Sequence, residues 1–168
     1  EYKRGRPQKA VEALTKESVP DFNLSALRYF LNNRSSGTAT TFLTDKTIFK
    51  QSRIDFNIVK KSVQERAYLI SKLYFHLYDL RDKPQEAHFY FEGGLASLVV
   101  HLNKNKEALH RPISIIKQDG AIGVEVAIQY NDSFSETMES FVNVINTVSG
   151  GTHLTGFRAA LTKVINDY

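Results

Sequence analysis

The chain has no cysteine and no tryptophan, and its single methionine is Met138. Without a thiol there is no disulfide framework, no thiolate metal site and no cysteine nucleophile. No apolar run approaches the roughly 18 to 20 residues that a membrane-spanning helix needs. The opening Glu1, Tyr2, Lys3, Arg4 also lacks the apolar centre of a signal peptide. These absences lead to the expectation of a soluble, cytoplasmic chain with no membrane partner. A start at Glu1 with Met138 as the only methionine adds the expectation of a piece of a longer polypeptide.

What is present has the balance of a folded domain. Of 168 residues, 42% are hydrophobic and 24% charged, with 22 Lys and Arg against 18 Asp and Glu for a net charge of +4. That composition excludes intrinsic disorder and leaves room for one domain, or one domain with a fragment of another.

Periodicity then divides the chain. Glu1 to Lys16 reads as a strand end running into an irregular basic segment, Ser18 to Phe30 as a short helix, and 32–37 (NNRSSG) as a turn. The β-branched run Thr38 to Leu43 predicts a strand. Phe56, Val59, Val63, Ala67 and Ile70 recur at helical spacing, predicting an amphipathic helix over Asp55 to Ser71. From Leu73 the period becomes two: Leu73, Phe75 and Leu77 alternate with Tyr74, His76 and Tyr78. A turn at Asp82, Lys83 and Pro84 then predicts a β-hairpin returning over Ala87 to Glu92. Gly93 and Gly94 precede a helix with Leu95, Leu98, Val99 and Leu102 on one stripe, closing at Asn103. Strands are predicted over Pro112 to Lys117, Ala121 to Tyr130 and Met138 to Asn146, and a terminal helix over Thr152 to Tyr168. This order predicts an α+β fold in which one sheet is covered by helices.

Local chemistry is sparse. The histidines at 76, 88, 101, 110 and 153 show no ligand spacing of the HxxxH kind, so no metal site is expected, and His76 reads as a partly buried, hydrogen-bonded ring. No nucleophile elbow, phosphate-binding loop or paired-carboxylate motif occurs, and no catalytic residue is assigned. Three features remain. Lys104, Lys106, Arg111 and Lys117 form a basic cluster, which suits either a phosphate backbone or an ordinary solvated surface. Lys46, Lys50, Arg53, Lys60, Lys61 and Arg66 form a second with the same two readings. The run from Ser149 to Arg158 places two glycines before a helix N-terminus, where close packing is favoured over anion binding.

That last run, continued as GGTHLTGFRAALTKVINDY (Gly150 to Tyr168), resembles the GGTHxxGFR signature of the B subunits of bacterial type IIA DNA topoisomerases, most of all the gyrase branch. Phe91 to Ile113 (FEGGLASLVVHLNKNKEALHRPI) is similar to the family's FEGG helix and NKxxLH segment. Ile122 to Thr147 is similar to the strand, YND turn and strand before the signature. Glu1 to Gln8 and Ser36 to Phe49 resemble the closing strands of the family's ATP-binding domain, whereas about 9–35 matches nothing in it.

The resemblance implies a domain plan. Residues 1–50 would be the C-terminal part of a GHKL ATP-binding domain with an unusual insert at about 9–35. Residues 51–168 would be a transducer domain, incomplete at its C-terminus, with a mixed sheet covered by helices in a ribosomal-protein-like α/β sandwich. It implies ATP and Mg as cofactors of the full enzyme, with Thr38 on the adenine side of the nucleotide, although β-propensity alone also accounts for a threonine there. It implies double-stranded DNA, a topoisomerase A subunit and a second copy of the B subunit as partners, with Lys104, Lys106, Arg111 and Lys117 as candidates for the DNA cavity wall. Gly150, Gly151, Thr152, His153 and Arg158 become candidates for coupling. The activity implied is ATP-driven strand passage with negative supercoiling, to which this chain would contribute coupling while being inactive alone. The alternatives are the B subunit of a topoisomerase IV and a non-catalytic module that binds nucleic acid or a partner.

Overall fold

Helix α1, Phe56–Leu69, opens on Asp55, whose carboxylate accepts the Asn57 amide at 2.7 Å. This satisfies one of the donors that a helix start leaves over. The computed structural model describes residues 2–3, 6–7, 37–38, 40, 42–50, 54–81 and 83–168. The chain divides into two compact units, Glu1–Ser52 and Arg53–Tyr168.

In the first unit β1 (Tyr2–Lys3) and β2 (Arg6–Pro7) pair antiparallel, Tyr2 opposite Pro7. Asp45 closes a turn by accepting both the amide and the hydroxyl of Thr47, at 2.8 and 2.7 Å. The Thr47 hydroxyl, then its amide, hold the Asp45 carboxyl below its usual range. The strand expected over Thr38 to Leu43 does not form among the described residues: Thr38, Thr40, Phe42 and Leu43 stand outside any ladder, and Phe42 and Leu43 are exposed. β-Branched composition favours a pleated surface only where a neighbouring strand and a buried face supply the packing. The helix expected at Ser18 to Phe30, the turn at 32–36 and the insert at about 9–35 lie outside the described residues.

The second unit is built around α1. Strands β3 (Phe75–Asp79) and β4 (Gln85–Phe89) form the predicted hairpin, in a register that sets Phe75 opposite Phe89 and Leu77 opposite Ala87. One face of this pair meets α1, where Phe56, Ala67, Ala87 and Phe89 form the core with Val63, Phe75, Leu77 and Phe91 packed against it. Burying a large apolar side chain contributes about 1.5–3 kcal/mol. Tyr68 stacks on Phe91 with ring centroids 3.7 Å apart, and its burial raises the phenol pKa.

Gly94 then starts α2, Leu95–Leu102, at φ +54°, and an added Cβ would lie 3.2 Å from Ser71 Cβ. Helix α2 packs on the hairpin of β5 (Ile113–Asp119) and β6 (Ile122–Ile128), which turns through Gly120 as predicted. The single strand expected over Met138 to Asn146 is instead a small hairpin, β7 (Phe141–Val142) with β8 (Ile145–Asn146). Asn143 at φ +55° makes the turn, a conformation that Asn reaches at lower cost than most residues. Helix α3, Thr152–Asp167, closes the sequence as expected.

The α+β class holds, while the expected mixed sheet does not. Among the described residues the strands form four separate two-stranded antiparallel sheets. Each strand pairs with its neighbour along the chain, where a short turn makes closure inexpensive in entropy.

Candidate functional site

Three of the four residues in the first basic cluster sit on one pinned loop. Asn103, buried at the C-cap of α2, donates from Nδ2 to Gln129 Oε1 and accepts from Asn131 Nδ2, both at 2.9 Å. Gln129 Nε2 donates to the His110 carbonyl at 2.8 Å, and the Tyr130 amide donates to His110 Nε2 at 2.9 Å. Farther along, the Leu109 amide donates to the Tyr130 carbonyl and the Asp132 amide to the Glu107 carbonyl, each at 3.0 Å. The segment following α2 is thus tied along its length to the segment following β6. Such a network holds a loop in one conformation because most of its partners would be costly to leave unpaired.

Lys104, Lys106 and Arg111 project from this loop. Lys104 and Arg111 are exposed, and Lys106 is half-buried with Nζ donating to Thr137 Oγ1 at 3.3 Å. Lys117 is placed differently. It lies opposite Val124 in the β5–β6 register, so it shares a face with Ile113, Ile115 and Val124. The second basic stretch is split between the units, with Lys46 and Lys50 in the first and Lys60, Lys61 and Arg66 on α1.

The glycine-opened helix is also anchored. Gly150, at φ +75°, donates its amide to the Thr147 carbonyl at 2.7 Å, and Gly151 is the N-cap of α3. Thr152 begins the helix, and His153 Nε2 lies 3.3 Å from Thr147 Oγ1. Thr147 Oγ1 also lies 2.6 Å from Ser140 Oγ, so β7, β8 and the start of α3 share one hydroxyl-centred set of contacts. Arg158 pairs with Glu136 at 3.0 Å, both side chains exposed. An exposed pair of this kind contributes at most about 1 kcal/mol and serves mainly to set geometry. Glu136 and Thr137 are neighbours, so Arg158 on α3 and Lys106 on the basic loop hold adjacent residues of one connecting segment.

Thr38 is exposed and outside any strand among the described residues.

Linear spacing missed two things. The Asn103 network joins residues up to 28 positions apart and has no local motif. The β3–β4 register also sets His76 directly opposite His88, with Glu86 near both, so histidines that looked scattered along the sequence converge. Counting across the hairpin turn, rather than along one element, is the signal that finds them.

Comparison with known proteins agrees with the signature residues. The profile of the family described as DNA gyrase B matches residues 94–168. The B subunit of DNA topoisomerase 4 from Staphylococcus aureus is 42% identical over 137 residues, covering 80% of this chain and 21% of that protein. A crystal structure of the 43K ATPase domain of Thermus thermophilus gyrase B, in complex with an aminocoumarin, superposes with a TM-score of 0.67 at 31% identity. It covers 74% of this chain and 34% of that one. The B subunit of Myxococcus xanthus DNA gyrase gives a TM-score of 0.65 at 27% identity, covering 71% and 34%.

Fold and signature together define an α+β segment of a type IIA topoisomerase. The chain belongs to the B-subunit family that gyrase and topoisomerase IV share. It spans about a fifth of the length of the curated relatives it matches.

Proposed function

We propose that this chain couples ATP binding and hydrolysis to DNA strand passage within the B subunit of an ATP-dependent type II topoisomerase. In this reading residues 1–50 end a GHKL ATP-binding domain and residues 51–168 belong to the transducer. The observation that carries it is the physical tie between the basic loop and the signature helix, through Lys106 to Thr137 and Glu136 to Arg158. A duplex lying against Lys104, Lys106 and Arg111 would meet sequence-independent positive charge, as a transported segment of any sequence requires. The connecting segment would pass that contact to α3, which opens on the GGTH run.

The chemistry of such a segment is mechanical. Its residues bind, orient and transmit, and a nucleotide-biased pair of conformations supplies the direction. ATP and Mg would be held chiefly by parts of the enzyme outside this chain, with Thr38 near the adenine. The partners in this reading are double-stranded DNA, the A subunit and a second copy of the B subunit.

The gyrase assignment, with negative supercoiling as its product, is supported by the GFRAALT run after GGTH and by the matching family profile. The topoisomerase IV assignment is supported by the 42% identity to the B subunit of a topoisomerase IV. One experiment separates them: full-length protein with its cognate A subunit, ATP and relaxed circular DNA, read as a change in linking number. Negative supercoiling selects gyrase, and decatenation without supercoiling selects topoisomerase IV. No topological change from folded, assembled protein would return the chain to the binding-module reading. In the same preparation Lys104→Ala with Lys106→Ala is expected to lower DNA stimulation of ATPase more than basal ATPase. Equal loss of both would point to misfolding instead.

A further inference from the structure

The outward face of the β3–β4 hairpin carries a group of side chains that strand passage does not use. Residues two apart on a strand share a face, and directly opposed residues on paired strands share it as well. His76 opposes His88 and Tyr78 opposes Glu86, so all four lie on the side away from the core, with Tyr74 at the near end. We infer that this face is a binding site for one divalent transition-metal ion, Zn2+ by its donor set, held by His76 Nε2, His88 Nε2 and the Glu86 carboxylate.

The geometry supplies the donors. His76 Nε2 lies 3.8 Å from Glu86 Oε2, His88 Nε2 lies 3.5 Å from Glu86 Oε1, and each of the three residues offers a ligand atom within 4.8 Å of the other two. Tetrahedral zinc with bonds of about 2.0–2.1 Å sets its ligands roughly 3.4 Å apart, so the donors stand near that spacing and small rotations of the three side chains would complete the site. The two imidazole rings are already close, with centroids 3.6 Å apart.

A second observation points to a ligand. The His76 side chain is only 10% exposed, and its Nε2 is buried without a hydrogen-bond partner among the described residues. Buried polar atoms are rarely left in this state, and an ion on Nε2 would satisfy this one.

The far side of each ring is arranged to match. His76 Nδ1 lies 2.9 Å from Tyr78 Oη and His88 Nδ1 lies 2.8 Å from Tyr74 Oη. A protonated Nδ1 donating to tyrosine oxygen leaves the Nε2 lone pair free for a metal, the arrangement that orients most ligating histidines. Two nitrogens and one carboxylate suit zinc better than Mg2+ or Ca2+, which take oxygen ligands. His88 and Glu86 are partly exposed, so a water molecule can reach the fourth position. The bound ion would join β3 to β4 and stabilise the hairpin that covers α1.

The test is calorimetric titration of untagged, chelator-treated full chain with Zn2+ alone, followed by Co2+ substitution read by visible spectroscopy. One equivalent is expected, with tetrahedral Co2+ bands. Tyr74→Phe should weaken affinity by about 10- to 100-fold, the usual effect of removing a group that orients a ligating histidine. His88→Ala and Glu86→Gln change exposed side chains, and should abolish the equivalent while circular dichroism stays unchanged. Retention of wild-type stoichiometry and affinity in both variants would overturn the site. So would failure of the wild type to bind micromolar Zn2+, or equal loss of binding in a His101→Ala control.

Discussion

Gly94 is held by backbone geometry and by space at once: φ is +54°, and a Cβ would press on Ser71. Gly94→Ala should cost about 1–3 kcal/mol from the positive-φ backbone alone, read as a lowered thermal midpoint. Asp79 makes a different residue-scale statement. The side-chain hydrogen bonds from Arg81, then its amide, push the Asp79 carboxyl down to about 2. Arg81 also donates to the Ile54 carbonyl at 2.7 Å, which ties the end of β3 to the entrance of α1. Because the folded state holds the proton less tightly than the unfolded chain, this stabilisation is present above about pH 4 and is lost as pH falls towards 2. Chemical denaturation across that range should show a steeper acid loss for the wild type than for Asp79→Asn. Parallel curves would mean that the pair contributes nothing to the acid limb.

At the scale of elements, the loop after α2 depends on one buried amide. Asn103→Ala leaves Gln129 and Asn131 short of partners, and should cost about 1–3 kcal/mol. Hydrogen exchange is the discriminating measurement: the Leu109 and Asp132 amides should exchange faster, while those of α1 hold. Helix α3 offers a contrast within one molecule, since none of its residues is buried, whereas α1 buries Phe56, Ala67 and Tyr68. Helical stability in proteins comes mainly from a packed face, so α3 amides should exchange before those of α1. Where element boundaries were legible, the reason was local. Asp55 caps, Gly120 turns, and the alternation from Leu73 to Tyr78 has only one wholly aliphatic and phenyl side. The β7–β8 hairpin was not legible as two strands, because Asn143 is the only turn residue between two apolar runs.

For the whole molecule, charge and exposed apolar surface carry the expectations. If Lys104, Lys106 and Arg111 each neutralise a phosphate, each alanine substitution should reduce the salt dependence of DNA affinity by about 0.9 in the log–log slope. Lys117→Ala tests placement, since its neighbours on the same β5–β6 face are apolar and exposed. An unchanged slope there, beside reduced slopes for the loop residues, would separate the loop from the strand. Ile115, Ile122 and Val124 on that face, and Val164 and Ile165 on α3, are all about half exposed or more.

The sequence by itself determined the class of fold, the central helix, two of the hairpins and the family, because periodicity, caps and signature residues act over a few positions. Only the tertiary structure decided which distant residues meet. The separate two-stranded sheets, the Asn103 network and the His76–Glu86–His88 face depend on register across turns and on contacts between elements far apart in the chain. No local pattern encodes those distances, since a shift of one residue in pairing would turn a strand's side chains to the opposite face.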